Sequence, residues 1–210
     1  SFFNQPLAAE INFKMFCSSL QYLLLEKKED IKKLEEIKND FSKFMSNEMQ
    51  LMWAKKLGLK IFDEKLTNEL FKLMFHSKVD FTIFFRKLSH IPENVSFLKD
   101  SFYIKPNDEI HNNWNTWLQN WQHLIKKNPD INETSKLMKK VNPKFTWREW
   151  MIIPAYEEAE KGDYNSLREL QSVFTNPYEE QSKEIAQKYD RLKPLEYFNK
   201  GGISYYSCSS

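Results

Sequence analysis
A chain of 210 residues that is 41% hydrophobic and 15% aromatic carries enough apolar surface for a substantial core, which excludes disorder over most of its length. Its 31 basic and 29 acidic residues leave a net charge of +2, so composition favours neither nucleic acid nor an anionic membrane as partner. Only four of the basic residues are arginines, Arg86, Arg148, Arg168 and Arg191, the better side chains for forked phosphate recognition, and the lysine excess reads as surface solubility.

The chain opens at Ser1 without a methionine, in FFNQPLAAEINF, and reads as the C-terminal part of a longer protein. No targeting segment or membrane-length apolar run appears. Pro6 suits a first helical turn, and Leu7, Ile11, Phe16, Leu20, Leu23 and Leu24 recur at helical spacing to about Leu25. Cys17 lies beside that face as a small buried hydrophobe. A second helix carries Ile31, Leu34, Ile37, Phe41, Phe44, Met45, Met49 and Met52, has Lys55 and Lys56 in its last turn, and stops at Gly58. Asp63 caps a shorter helix through Leu66, Leu70, Phe71, Leu73 and Met74. Asp80 caps the next, with Val79 and Phe84 at the spacing of a hydrophobic staple and Phe81, Phe84, Phe85 and Leu88 on one face.

From His90 to Pro106 no period is sustained, which predicts a loop with one short turn. Helical spacing returns with Ile110, Trp114, Trp117, Leu118, Trp121, Leu124 and Ile125. A tryptophan stripe suits a ligand platform or a core, and the area each ring buries favours core. Asn132 is the expected cap of a short helix through Leu137, Met138 and Val141, and Thr146 with Glu149 forms a T-x-x-E capping-box pattern. The helix it opens should reach Lys161 and stop at Gly162, with Pro154 either kinking or dividing it. Asp163 is the expected cap of a helix through Leu167, Leu170, Val173 and Phe174, and EEQSKEIAQKYDR suits a loosely held helix. With no strand period and no internal repeat, the fold class is all-α, with about seven to nine helices. Residues 1–192 form the helical part, and 193–210 an extended, flexible tail hinged at Gly201 and Gly202.

Recognisable chemistry is sparse. The four glycines form no phosphate-cradling loop, and His76, His90, His111 and His123 lack metal-ligand spacing. Acidic pairs such as Glu157 and Glu158 belong on solvated faces, and no serine is set with a histidine as a nucleophile. Cys17 and Cys208 are too few for a disulfide framework, which points to a reducing compartment. Cys208, third from the end of the chain, is either incidental or redox-active.

Three segments together resemble the selenoprotein O family of protein adenylyltransferases, which have a pseudokinase fold. They are LGLKIFDEKLTNELFKLM followed by DFTIFFRKLS, from Leu57 to Ser89; NPKF, EEAEKGDYNSLREL and NPYEE, within Asn142 to Glu180; and the terminal SCSS. The start, Ser1 to Pro6, resembles the stretch that follows the family's metal-binding and activation segment. The resemblance implies the helical C-terminal lobe portion of a kinase-like fold, in a protein that transfers AMP from ATP, with magnesium, to Ser, Thr or Tyr hydroxyls of protein substrates. It implies catalytic, cofactor-binding and metal-binding residues upstream of Ser1 and none in this chain. The one residue it assigns is Cys208, in a redox role where relatives carry cysteine or selenocysteine, with Cys17 a weak candidate for its partner. Pro154 and the cysteine in place of selenocysteine depart from the family pattern. A mitochondrial location is implied in a eukaryote and a cytoplasmic one otherwise, with no nucleic-acid or membrane partner. The other reading is a non-catalytic, all-helical protein-interaction module.

Overall fold
The computed structural model describes residues 4–24 and 27–198, so Cys208 and the SCSS terminus lie outside the described residues. Among the described residues there are nine α-helices: α1 (Gln5–Gln21), α2 (Lys28–Lys56), α3 (Glu64–Ser77), α4 (Phe81–Leu88), α5 (Asp108–Ile125), α6 (Ile131–Val141), α7 (Glu149–Ala159), α8 (Asn165–Thr175) and α9 (Lys183–Tyr189). The only β pairing among them is a single antiparallel bridge between Val79 and Phe102, so the all-α expectation holds. The loop after His90 contains a 3₁₀ turn, Val95–Ser101, and a second one, Leu195–Tyr197, falls where the sequence reads as extended.

Contacts divide the chain into two compact units, Ser1–Trp53 and Ala54–Ser210. In the first, α1 runs antiparallel to α2, with the Phe13 and Phe41 rings stacked 4.4 Å apart and Gln21 donating to Glu35. Cys17 is buried as expected, at 1% exposure. Much of the helical apolar pattern is nevertheless exposed, including Leu7, Ile11, Phe16, Ile37 and Phe44. A two-helix hairpin buries one stripe on each helix, and these helices carry more apolar positions than one stripe holds.

The second unit holds most of the core. Gly58, at φ +67°, turns the chain out of α2 where a side chain would be strained, and a Cβ there would stand 2.6 Å from Met138 Sδ. Packed on α3, helix α5 buries Trp114, Trp117 and Trp121, which the sequence favours as core. Each indole N–H finds an acceptor as it leaves water: Ser77 Oγ at 2.9 Å, the Leu66 carbonyl at 2.9 Å and the Leu57 carbonyl at 2.8 Å. Phe84, fully buried, packs against Trp114 with ring centroids 5.2 Å apart. A smaller cluster joins α7, α8 and α9 through Phe145, Trp150, Met151, Leu170, Val173 and Tyr189.

Caps fix most helix starts. Asp63 accepts from Leu66 N at 2.8 Å and Asp80 from Ile83 N at 3.0 Å, as the sequence predicts. Three expectations are corrected. The cap of α6 is Asp130, which accepts from Glu133 N at 3.0 Å, and Asn132 is already inside the helix. Thr146 forms no capping box: its hydroxyl lies 3.2 Å from that of Thr82, and α7 begins at Glu149 with Arg148 at the N-cap. Asp163 precedes the α8 cap by one residue, its carboxylate accepting from Asn165 N at 3.0 Å. Helix α7 contains Pro154 without being divided by it.

Candidate functional site
The densest polar centre gathers around Asp80, which α4 presents at its N-terminus with 5% exposure. One carboxylate oxygen caps α4 and also accepts from Arg148 Nη2 at 2.8 Å, while the other accepts from Arg148 Nη1 and, at 3.1 Å, from the Tyr103 hydroxyl. The Asp80 N–H donates to the Ser101 carbonyl at 2.7 Å, and the Tyr103 hydroxyl accepts from Lys193 N at 3.3 Å. Asp80, Thr82, Tyr103, Arg148 and Glu149 help line an open cavity of about 310 Å³.

Burial works against the Arg148 charge, but the paired Asp80 carboxylate outweighs it and holds the guanidinium above its ordinary pKa. Burial, reinforced by the same carboxylate, pushes the Tyr103 phenol up. The guanidinium therefore stays charged beside a neutral phenol. The cluster contains a fixed charge pair with its acceptors filled, and neither a nucleophile nor a free base.

A second centre surrounds Arg86, also 5% exposed. Its Nη1 donates to the carbonyls of Lys139 and Asn142, both at 3.1 Å, and Nη2 donates to Glu180 Oε1 at 2.6 Å. Lys144 donates to the other oxygen of Glu180 at 2.6 Å. Burial alone would raise the Glu180 pKa, but the two cations more than reverse this and pull it down to about 2. Asn142 extends the network by donating to the Lys56 carbonyl at 2.9 Å and to Ser89 Oγ at 3.0 Å. Lys56 itself lies over the Phe85 ring, 4.9 Å from its centroid, and burial lowers its pKa to about 8.

Both centres tie together segments far apart in sequence, and neither forms a nucleophile–base constellation. Among the described residues no group of three or more His, Cys, Asp or Glu side chains is placed to hold a metal ion. His90 has its pKa lowered chiefly by burial, and no acidic cluster turns it into a ligand. Cys17 is a buried thiol of α1, and Cys208 lies outside the described residues. No helix of the described residues is long and apolar enough to cross a membrane.

Sequence reasoning missed both arginine pairs, placing Asp80 only as a cap and the arginines only as a count. The available signal was that scarcity: in a chain this rich in lysine, Arg148 makes a forked pair with the buried Asp80, the buried Arg86 holds two carbonyls and Glu180, and a third arginine, Arg191, lies 5.0 Å over Trp150.

The family model described as "Protein adenylyltransferase SelO" matches residues 1–175. The chain is 33% identical over 178 residues to the protein nucleotidyltransferase YdiU of Tolumonas auensis, covering 81% of this chain and 34% of that protein. With the YdiU protein of Aromatoleum aromaticum it shares 30% identity over 217 residues, 100% of this chain and 40% of the relative. With that of Flavobacterium johnsoniae it shares 30% over 224 residues, 100% of this chain and 41% of the relative. The chain thus spans between a third and a half of the length of these relatives.

Proposed function
The chain belongs to the SelO family of protein adenylyltransferases, and from that membership we propose that it is the helical scaffold of a protein that transfers AMP from ATP to Ser, Thr or Tyr hydroxyls of other proteins. In that reaction a hydroxyl oxygen bonds to the α-phosphorus of ATP, the bond from that phosphorus to the β-phosphate bridge breaks, pyrophosphate leaves, and the hydroxyl proton passes to a base. The observation that carries the reading is the family match over residues 1–175. On this reading nucleotide, magnesium and base belong to the part of the relatives' length that this chain does not span. The described residues bring no three His, Cys, Asp or Glu side chains together to hold a metal ion, so they do not fit the cation. Their role is to hold the lobe together through the tryptophan core and the two arginine pairs.

The test is label transfer with the intact protein. ATP labelled at the α-phosphate should label a protein substrate and ATP labelled at the γ-phosphate should not; the opposite pattern overturns the reading. The 210-residue chain alone should fail to bind ATP tightly by calorimetry, and micromolar binding would show that the nucleotide site had been misplaced. The lack of a nucleophile–base constellation among the described residues also supports a second reading, a non-catalytic helical interaction module. That reading predicts no AMP transfer by the intact protein under any metal condition.

The redox role of Cys208 rests on the resemblance of the terminal SCSS. Preferential alkylation of Cys208 over the buried Cys17 is expected in the native protein, and equal protection of both thiols argues against it. The relatives named above are bacterial, which supports the cytoplasmic reading over the mitochondrial one.

A further inference from the structure
An apolar groove of about 560 Å³ lies in the second unit between the turn that leaves α2 and the outer face of α6. Its volume is within the range of ligand sites. Leu59, Pro129, Leu137 and Val141 supply its apolar surface, and Leu137 is 53% exposed. The walls are fixed: Asn128 Nδ2 donates to the Gly58 carbonyl at 2.9 Å and to Thr134 Oγ1 at 3.1 Å, binding the α2–α3 turn to the start of α6. Little ordering would therefore be needed on binding.

The rim sets the chemistry. Lys55 from α2, Lys60 from the turn and Lys140 from α6 all border the groove, and among the described residues none of them forms a salt bridge. The two carboxylates on the rim are already engaged. Asp130 caps α6, and Glu133 faces Lys136 at 3.7 Å. With three lysines against two carboxylates, the rim around the apolar floor is net cationic. Three lysines on three separate elements suit a ligand with several separated carboxylates better than a fatty acid, which brings one.

We propose that this groove docks a segment of a partner protein in which apolar side chains are flanked by Asp or Glu. The apolar side chains seat on Leu59, Leu137 and Val141, and the acids meet Lys55, Lys60 and Lys140. Apolar burial supplies affinity, and the rim selects acidic over basic segments. The groove shares no lining residue with the Asp80 cluster and adjoins the Arg86 cluster along α6, where Arg86 holds the carbonyls of Lys139 and Asn142; the proposal is independent of the adenylyl-transfer reading.

The probe is a fluorescein-labelled peptide ELLEELLE, titrated by anisotropy into the intact protein, with KLLKKLLK as counterpart. Saturable binding of the acidic peptide is expected, weakened by about tenfold or more in the triple variant K55E/K60E/K140E and in Leu137→Glu. A charge-matched triple at exposed lysines away from the groove, K72E/K105E/K161E, should bind as the parent does. Melting temperatures check that the variants fold, and because Lys55, Lys60 and Lys140 are exposed, the rim triple keeps the test open if Leu137→Glu does not. Absence of saturable binding, equal affinity for the basic peptide, or equal weakening by the control triple overturns the proposal. Self-association of the unliganded protein that Leu137→Glu abolishes would assign the groove to a second copy instead. Saturable binding of decanoate without peptide binding would assign it to a lipid carboxylate. Both outcomes overturn the proposal, and neither bears on AMP transfer, which is read separately by label.

Discussion
Asp80 serves two functions that one substitution separates. Asparagine is as good an N-cap as aspartate, so Asp80→Asn keeps the bond to Ile83 N while removing the charge that Arg148 is paired with. The expected loss is about 3 kcal/mol, the low end for breaking a buried pair, because the Arg148 left alone borders an open cavity. The double variant D80N/R148M should recover a large part of it, which urea unfolding of the set would measure; additive losses would mean that the pair is not coupled. Glu180 makes the complementary case in pH. Its folded-state pKa, about 2, lies below the ~4.3 of a free glutamate, so its pairing with Arg86 and Lys144 stabilises fully above about pH 4.3 and is shed as pH falls toward 2. Glu180→Gln should flatten the stability profile across that window and leave its shape above pH 5 unchanged. Parallel acid limbs for the two proteins would remove Glu180 from the account. The capping role of Asp80 is legible because a cap and its helix are local. Its pairing with Arg148, 68 positions away, is not, because no local period encodes which distant charge will arrive.

At the scale of elements, the sequence is informative where burial and spacing agree. The tryptophans of α5 recur on one face, their rings are too large to leave in water, and the structure buries all three with their N–H groups paired. Asp63 and Asp80 stand directly before apolar helical runs, and both cap. The T-x-x-E pattern at Thr146 failed because a tertiary partner competes: the Thr82 hydroxyl lies within reach, and Arg148 is drawn into extended backbone by its pair with Asp80. Lys78 is another position that local pattern does not reveal. It closes α3 at φ 49°, ψ 58°, a left-handed cap normally given to glycine, while its carbonyl accepts from Tyr103 N at 3.2 Å. Lys78→Gly should relieve the strain while keeping that bond, raising stability by about 0.5 to 1 kcal/mol after glycine's own entropy cost. A thermal melt is sufficient to test it, and a lowered midpoint would mean that the lysine side chain contributes more than the backbone conformation costs.

For the molecule as a whole, the two units differ in how much they bury. Among the described residues up to Trp53 only Cys17 and Trp53 itself are buried hydrophobics, whereas the second unit holds the tryptophan core and the α7–α9 cluster. Apolar periodicity could not announce this difference, because it reports that a helix has an apolar face and not whether that face is covered. The pattern of α1 is regular, yet Leu7, Ile11 and Phe16 are exposed. Segments with few buried contacts open at lower free energy than the core, so in the 210-residue chain the α1–α2 hairpin should open below the global unfolding free energy. Hydrogen exchange read by mass spectrometry should then show α1 amides exchanging well before those of α3 and α5. Cys17 gives a second readout of the same event, since its thiol reacts only when the hairpin opens. Its alkylation rate should depend weakly on urea, as befits a small exposed area, whereas exchange in the tryptophan core should depend steeply. Equal urea dependence at both places would mean that the two units unfold as one, and that the exposed stripe of α1 carries no penalty in local stability.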